Sequence, residues 1–236
     1  TIPDSVTGIS SSAFWGCDGI TSLTIPDSVI NTGPYVFREM SNLQSIIIPD
    51  SVSQIGVDMF RGCSSLQSAT IGNGVTSILN TAFYYCQALQ TVIIGESVTS
   101  IGDNAFWYCT SLQSVTFAET SQLTTIGTTA FEQTSALQSI TLPDSITTIA
   151  SDTFTNSGLS IVYISYQGAY NLDVRFGTGK SFYGVTVEII ATDPDNPDGI
   201  VFPLDPFDLC NNLDSSNVEY TTLTHTDVTV FTGGIN

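Results

Sequence analysis

The pattern of apolar and polar positions along this chain recurs every 23 residues, and phenylalanine marks the period most clearly. The marked positions, with a single step of 25, are Phe14, Phe37, Phe60, Phe83, Phe106, Phe131 and Phe154. Repeats of this length are typical of solenoids, in which each unit buries its apolar face only against its neighbours. The pattern therefore predicts a function carried by an extended surface rather than by a deep pocket.

One repeat can be followed over residues 95–117, where the apolar positions are Val98, Ile101, Phe106, Cys109, Leu112, Val115 and Phe117. The last two alternate with period two among β-branched residues, which predicts a short strand. The earlier pair, Val98 and Ile101, is too short to distinguish a second strand from an extended turn. Residues 103–108 are too few for a full helix, so we expect a 3₁₀ or single helical turn there.

The order of elements is the same in every repeat, so the stacked strands must be parallel, and such connections are overwhelmingly right-handed. We therefore expect a right-handed, β-rich parallel solenoid of about seven repeats over residues 1–164, with repeats roughly 4.8 Å apart. From residue 165 the apolar period is lost, and Gly, Tyr, Thr and Asp become frequent. We expect residues 165–236 to form an irregular β-rich cap or a small β domain.

Several segments match a known repeat at fixed offsets. Ile-Pro-Asp-Ser-Val at 25–29 and 48–52, and Ile-Gly-Asp-Asn-Ala-Phe-Trp-Tyr-Cys-Thr-Ser-Leu at 101–112, resemble the BspA-type leucine-rich repeat, also described as the Treponema pallidum type. The resemblance covers about two thirds of the chain and implies a leucine-rich repeat solenoid. It also implies an extracellular or cell-surface protein of a bacterium or protist, used in adhesion to host or matrix proteins.

Thr1 falls within a repeat, directly before Ile2-Pro3-Asp4-Ser5-Val6. An uncovered first repeat would expose a strand edge and apolar side chains, so we expect a segment of a longer or processed protein. The sequence has no run of about 18 apolar residues, so we predict no membrane insertion within this segment.

The chain is strongly acidic, with a net charge of −18 from 22 acidic residues against Arg38, Arg61, Arg175 and Lys180. Nucleic acid is excluded as a partner, because phosphate binding requires a cationic surface. The imbalance favours cationic partners or divalent ions.

Four cysteines, Cys17, Cys63, Cys86 and Cys109, share one position of the repeat. Adjacent repeats could bring two of them within disulfide distance. The preferred interpretation is a column of small buried thiols, because each follows a core phenylalanine by three residues. Cys210 lies outside this column.

Two sets of acidic residues raise the possibility of calcium. One set occupies the Pro-Asp-Ser turn of the repeat and comprises Asp4, Asp27, Asp50, Asn73, Glu96, Glu119 and Asp144. Carboxylates are the ligands that Ca²⁺ prefers, although Asp and Ser are also ordinary turn residues that satisfy local backbone amides. The second set, Asp193, Asp195 and Asp198, resembles a calcium loop in composition but departs from its spacing. We predict no required cofactor, with calcium as the possible exception.

Two columns of outward positions are candidate binding surfaces. The predicted strand face carries an uncharged set, Gln44, Gln67, Gln90, Gln113 and Gln138, together with Ile47 and Ile93. It suits docking of a protein or self-stacking, but it is equally the ordinary solvated face of a strand. An aromatic patch, Trp15, Tyr84, Tyr85, Trp107 and Tyr108, suits a protein interface or carbohydrate stacking, or simply covers the predicted turn.

Catalytic chemistry is hard to place, because the chain has one histidine, His225, and one lysine, Lys180. It contains no phosphate loop, zinc-ligand spacing or nucleophile elbow. Our first hypothesis is a non-enzymatic surface or secreted module that binds a protein or glycan at a cell surface or matrix. The second is a structural building block that self-assembles into a filament or surface layer. A third hypothesis is an extracellular hydrolase, but repeats this short provide no deep cleft in which paired carboxylates could hydrolyse a glycoside.

Overall fold

The computed structural model describes residues 2–165, 169, 171–172 and 177–192. All of them belong to the first of the chain's two compact units, Thr1–Val201. The strands of this part are β1 (Gly8–Ile9), β2 (Asn31–Thr32), β3 (Ser45–Ile48), β4 (Gln54–Ile55), β5 (Ser68–Ile71), β6 (Ser77–Ile78), β7 (Thr91–Ile94), β8 (Ser100–Ile101), β9 (Ser114–Phe117), β10 (Thr125–Ile126), β11 (Ser139–Thr141), β12 (Thr148–Ile149), β13 (Ile161–Ser165), β14 (Gly177–Phe182) and β15 (Val185–Thr192).

The strands of the repeats stack in parallel, as the repeat predicts, and only β14 pairs antiparallel, with β15, among the described strands. A main sheet has the order β3-β5-β7-β9, and its register places each residue beside its equivalent in the next repeat, so that Ser45 faces Ser68. A minor sheet has the order β12-β10-β8-β6-β4. Its two-residue strands answer the question left open by the sequence, because Ile101 lies in β8. The repeats that begin with β3, β5, β7 and β9 therefore contribute one strand to each of these two sheets, whereas β1 and β2 form a separate two-stranded sheet.

The single 25-residue step affects the two sheets differently. The minor sheet continues across it, with Ser100 of β8 beside Thr125 of β10. The main sheet ends at β9, and a separate sheet of order β11-β13-β15-β14 follows. The two extra residues thus lie in the turn after β9, and β11 does not pair with β9 in the main sheet.

The core is a stack of phenylalanine rings. Successive centroids from Phe14 to Phe154 lie between 5.1 and 5.6 Å apart, and all but Phe14 in this series are fully buried. Burying one such side chain contributes roughly 1.5–3 kcal/mol. Phe182 continues the stack, 5.8 Å from Phe154, and β15 pairs in parallel with β13. The core therefore extends beyond the region where the 23-residue period can be recognised.

The segment around each phenylalanine consists of consecutive turns rather than a continuous 3₁₀ helix. Cys63 N–H donates to the Phe60 carbonyl three residues earlier, at 3.1 Å, but Phe60 N–H donates to Ala82 of the next repeat, at 2.7 Å. Asp58 and Gly62, two residues on either side of Phe60, have φ of 52° and 74°. A right-handed helix cannot pass through left-handed residues. Half of the turn's backbone N–H groups therefore donate to carbonyl oxygens of the next repeat.

The cysteine column is a set of buried thiols, which confirms the preferred interpretation. Cys17, Cys63, Cys86 and Cys109 are unpaired, and the last three are buried. Cys63 Sγ donates to the Phe37 carbonyl of the preceding repeat at 3.1 Å, and Cys86 repeats this contact with Phe60. Burial raises the pKa of the Cys63 thiol to about 12, so it stays protonated and unreactive. Cys210 lies outside the described residues.

Candidate functional site

The main-sheet face carries the glutamine column at the surface, where the sequence predicts it. All five side chains are exposed: Gln44, Gln67, Gln90, Gln113 and Gln138. They precede the strands, while the strands themselves alternate outward and buried positions, as in β3 and β7. The outward positions of β3 to β9 carry only Ser, Thr and Ile, so this face is uncharged.

A row of alternating isoleucine and threonine lies near the carboxyl ends of these strands. Ile47, Thr70, Ile93 and Thr116 are successive partners in register. Ile47 is 67% exposed and Ile93 is 50% exposed, which makes them two of the few exposed large apolar side chains among the described residues. At roughly 4.8 Å per repeat, the two isoleucines lie on the order of 10 Å apart.

This row forms the floor of a groove whose wall is the Pro-Asp-Ser turn. The groove has a volume of about 620 Å³ and is also lined by Pro49, Asp50 and Ser51. We call it the sheet groove. Its lining includes Asp27 and Asp50, and none of the described residues that line it is a lysine or arginine. An apolar floor with an acidic rim is therefore open to solvent along four strands.

The turn that forms the wall is held by bonds between repeats. Asn73 N–H donates to Asp50 Oδ1 at 2.6 Å, and Glu96 N–H donates to Asn73 Oδ1 at 3.2 Å. Ser51 Oγ donates to the Val29 carbonyl at 2.7 Å. These bonds account for Asp, Asn and Ser at this turn. The backbone groups they satisfy, amides of the next repeat and a carbonyl of the preceding one, lie outside the turn itself.

The described residues do not contain a cluster of side chains that could bind calcium. Residues 2–165 and the described positions beyond them contain no group of three or more His, Cys, Asp or Glu side chains that could hold a metal ion. The loop carboxylates Asp193, Asp195 and Asp198 lie outside the described residues, so calcium there stays a prediction.

The turn face, on which the phenylalanine turns lie, carries a different column, at the position directly after each core phenylalanine from Phe14 to Phe131. Its members are Trp15, Arg38, Arg61, Tyr84, Trp107 and Glu132, and we call them the turn ladder. The guanidinium of Arg38 lies 4.6 Å from the Trp15 ring centroid, and that of Arg61 lies 4.6 Å from the Tyr84 ring centroid. Tyr84 in turn stacks on Trp107 with centroids 4.7 Å apart. Each side chain therefore contacts its equivalent in a neighbouring repeat.

Asp58 joins the two arginines in the middle of the turn ladder. Its Oδ2 lies 3.1 Å from Arg38 Nη1 and 3.5 Å from Arg61 Nη1. The residue is buried, and its Oδ1 has no hydrogen-bond partner among the described residues. A buried carboxylate is stable only when paired, and here it prevents the two guanidinium groups from repelling each other.

Carboxylates also terminate the aromatic parts of the ladder. Trp15 Nε1 donates to Glu39 Oε2 at 3.0 Å, and Trp107 Nε1 donates to Glu132 Oε2 at 3.0 Å. The bond from the Trp15 indole lowers the pKa of Glu39, with a smaller contribution from Arg38. Beside the ladder, Tyr85 stacks on Tyr108 at 4.7 Å.

Comparison with known proteins identifies the repeat. The model of the BspA type leucine rich repeat region matches in six copies, over residues 1–113 and 33–160. The chain belongs to this family. No curated protein matches it at a significant level.

Solved BspA-type relatives share the fold at low identity. The leucine-rich repeat protein of T. pallidum is 25% identical, with a TM-score of 0.56 over 61% of this chain and 72% of that one. A leucine-rich repeat protein from Eubacterium ventriosum is 28% identical, with a TM-score of 0.63 over 67% and 42% of the two chains. The pneumococcal vaccine antigen PcpA is 25% identical, with a TM-score of 0.53 over 78% and 40%. This BspA-type chain thus spans less than half of the last two proteins.

Sequence reasoning identified the ladder aromatics but missed their arginine and carboxylate partners. Residue type groups Trp15, Tyr84 and Trp107 in one aromatic patch, whereas repeat position places Arg38 and Arg61 in the same column. Aligning every residue after a core phenylalanine would have found the whole turn ladder. The structure separates the predicted binding residues into two surfaces, the sheet face with Ile47 and Ile93 and the turn face with the aromatics.

Proposed function

We propose that this BspA-type chain is a non-enzymatic protein-binding module of a secreted or cell-surface protein, and that its main-sheet face contacts the partner. The leucine-rich repeat fold generally mediates protein interaction. The observation that carries the proposal is the sheet groove, where Ile47 and Ile93 are exposed in a row on a strongly acidic chain. Exposed apolar rows of this kind are typical of interaction surfaces.

A protein suits the available surfaces better than a glycan does. Carbohydrate stacking needs an uncovered ring face, but Tyr84 lies between Arg61 and Trp107. Tyr84 therefore has no uncovered ring face, and the turn face keeps only Trp15, 46% exposed, and Tyr85, 37% exposed, as exposed aromatic side chains among the described residues. The sheet face has no aromatic side chain in the outward positions of β3 to β9, and its isoleucines favour an apolar protein surface.

Family resemblance supports a location outside the cell. One solved relative is named as a pneumococcal vaccine antigen. The high negative charge of this chain keeps an extracellular protein soluble. Among the described residues, no helix is both long and apolar enough to cross a bilayer.

The test uses a substitution that the repeat itself supplies. Ile47 and Ile93 are changed together to Thr, the residue already present at the equivalent Thr70 and Thr116. Purified extracellular matrix proteins and a glycan array are screened for binding to the wild-type chain and to I47T/I93T. Ile30→Thr is the control, because Ile30 is 55% exposed but lies outside the groove, and Thr occupies the equivalent positions 7 and 76.

We expect a matrix protein that binds the wild type and I30T but binds I47T/I93T at least about tenfold more weakly, since central apolar contacts dominate interface energetics. Partner binding that is unaffected by I47T/I93T, or binding to glycans alone, would overturn the proposal.

Self-assembly into a filament or surface layer is the competing proposal, and it predicts sedimentation coefficients that grow with concentration. A net charge of −18 opposes association of identical chains at low salt. We expect sedimentation velocity to show a monomer across the concentration series, and large species would favour the structural role instead.

A further inference from the structure

We infer that the sheet groove receives a cationic segment of a partner protein, in which Lys or Arg residues flank apolar side chains. This inference rests on the proposed function, since it names the chemistry of the partner at the same face. It combines two features of the groove, its apolar floor and its charge. Neither feature alone specifies a partner, but together they restrict its chemistry.

The apolar floor requires apolar side chains from the partner. Ile47 and Ile93 project outward, with Thr70 between them, so the floor offers two aliphatic contacts separated by a smaller side chain. Covering exposed aliphatic surface is favourable at roughly 25 cal/mol per Å². A purely polar or purely charged segment would make no apolar contacts with this aliphatic surface.

The rim requires positive charge. Asp27 and Asp50 are exposed acidic residues that line the groove, and no cationic side chain of the described part of the chain lines it. The arginines of the repeats lie elsewhere, in the turn ladder, where Arg38 is paired with both Asp58 and Glu39. Nothing in the groove therefore offsets its acidic rim, and an anionic segment would be repelled.

The length of the groove sets the size of the segment. Its floor of Ile and Thr side chains runs from β3 to β9, which at roughly 4.8 Å per repeat is about 14 Å between the first and last strand. At about 3.3 Å per residue, four to five extended residues cover this distance. A short linear segment is therefore sufficient, and a folded partner could present it on a loop.

The probe is a labelled synthetic peptide of about eight residues, which exceeds this span, with two valines among lysines and serines. Two matched peptides replace every lysine by glutamate or both valines by serine. Binding to the wild-type chain is measured by fluorescence anisotropy at about 50 and 300 mM salt, because screening weakens exposed charge pairs at the higher value. We expect only the lysine–valine peptide to bind, and more weakly at high salt.

The decisive variant is D27N/D50N. Asparagine already occupies the same column at Asn73, where its Oδ1 accepts the amide of the next repeat, so the turn is retained. The control, D4N/D144N, removes the same charge from the same column outside the groove. We expect D27N/D50N to weaken peptide binding on the order of tenfold and to flatten its salt dependence, and D4N/D144N to change it less than about twofold.

Equal loss of binding in both double variants would overturn the inference, because only the net charge would then matter. Peptide binding that tolerates I47T/I93T would also overturn it. A matrix protein that needs Ile47 and Ile93 but is insensitive to D27N/D50N and to salt would refute the inference and leave the proposed function intact. If no protein or peptide requires Ile47 and Ile93 for binding, the proposed function and the inference are both wrong.

Discussion

The turn face and the sheet face are built on the same repeat, but their side chains are used in opposite ways. On the turn face, Tyr84 contacts Arg61 on one side and Trp107 on the other. On the sheet face, Ile47 projects into solvent and is 67% exposed. The middle of the turn face is therefore covered by its own side-chain contacts, with Trp15 and Tyr85 partly exposed beside it, whereas the isoleucines of the sheet face remain open to solvent. Residue type alone would have favoured the aromatic face as the binding site.

The difference arises from the direction of the side chains relative to the solenoid axis. Large side chains at one turn position lie one repeat apart, which is close to the stacking distance of planar groups. Arginine extends the same stacking through its planar guanidinium. On the sheet, short β-branched side chains stand perpendicular to the strands, so their outer surfaces are uncovered.

The largest effect is expected at Asp58. Asp58→Ala leaves Arg38 and Arg61 facing each other without their shared carboxylate, and it places alanine at a φ of 52°. Because the arginines are partly exposed, we expect a loss of about 2 kcal/mol in the free energy of unfolding, measured by urea denaturation. Asp58→Asn tolerates the same φ and should lose less. An unchanged stability in Asp58→Ala would show that the turn ladder is not a stabilising network.

A smaller loss is expected at Tyr84. Tyr84→Ala removes the stacking on Trp107 and the cation–π contact with Arg61, which together contribute about 1–2 kcal/mol. Urea denaturation measures the loss, and the cationic peptide should still bind normally. If Tyr84→Ala abolishes peptide binding while remaining folded, the two faces do not have the separate roles described above.

On the sheet face, we expect substitution to affect binding and to leave stability nearly unchanged. I47T/I93T exchanges exposed aliphatic side chains for a residue of good β-propensity, so we expect the free energy of unfolding to change by less than about 0.5 kcal/mol. Peptide binding should nevertheless be lost. A large destabilisation would mean that these isoleucines belong to the fold rather than to a binding surface.

The smallest effect is a pH dependence at Glu39. The folded-state pKa is below its ordinary value, chiefly because the carboxylate accepts the Trp15 indole bond. The stabilisation is therefore complete above the unfolded pKa of about 4.5 and is lost as pH falls through the folded pKa. The difference in unfolding free energy between the wild type and E39Q should shrink between about pH 6 and pH 3. A difference that stays constant or grows on acidification would contradict this linkage.

Much of the fold could be predicted from single columns of the repeat. The phenylalanine period predicts the ring stack, and the position three residues later predicts the buried thiols of Cys63 and Cys86. The minor sheet was harder, because two-residue strands such as β8 carry too few positions for a period to appear. Phe182 was missed since it follows Phe154 by 28 residues, although its ring continues the same stack.

The candidate site was predicted less completely. The outward placement of Ile47 and the glutamines follows from strand alternation, but the sheet groove depends on how the Pro-Asp-Ser turn stands beside the strand ends. The periodicity of the sequence does not determine the orientation of the turn relative to the strand ends. The partners of the aromatics were also missed, because Arg38 and Asp58 are 20 residues apart and occupy different positions of the repeat.

The sequence by itself determined the repeat, its parallel stacking and its core columns, because equivalent residues in identical units must meet when the units stack. Only the tertiary structure decided which surface is satisfied and which is open. That distinction depends on distances of a few ångströms between non-equivalent side chains, such as Asp58 with its two arginines. It also depends on the register that places Ile47 and Asp50 along one groove.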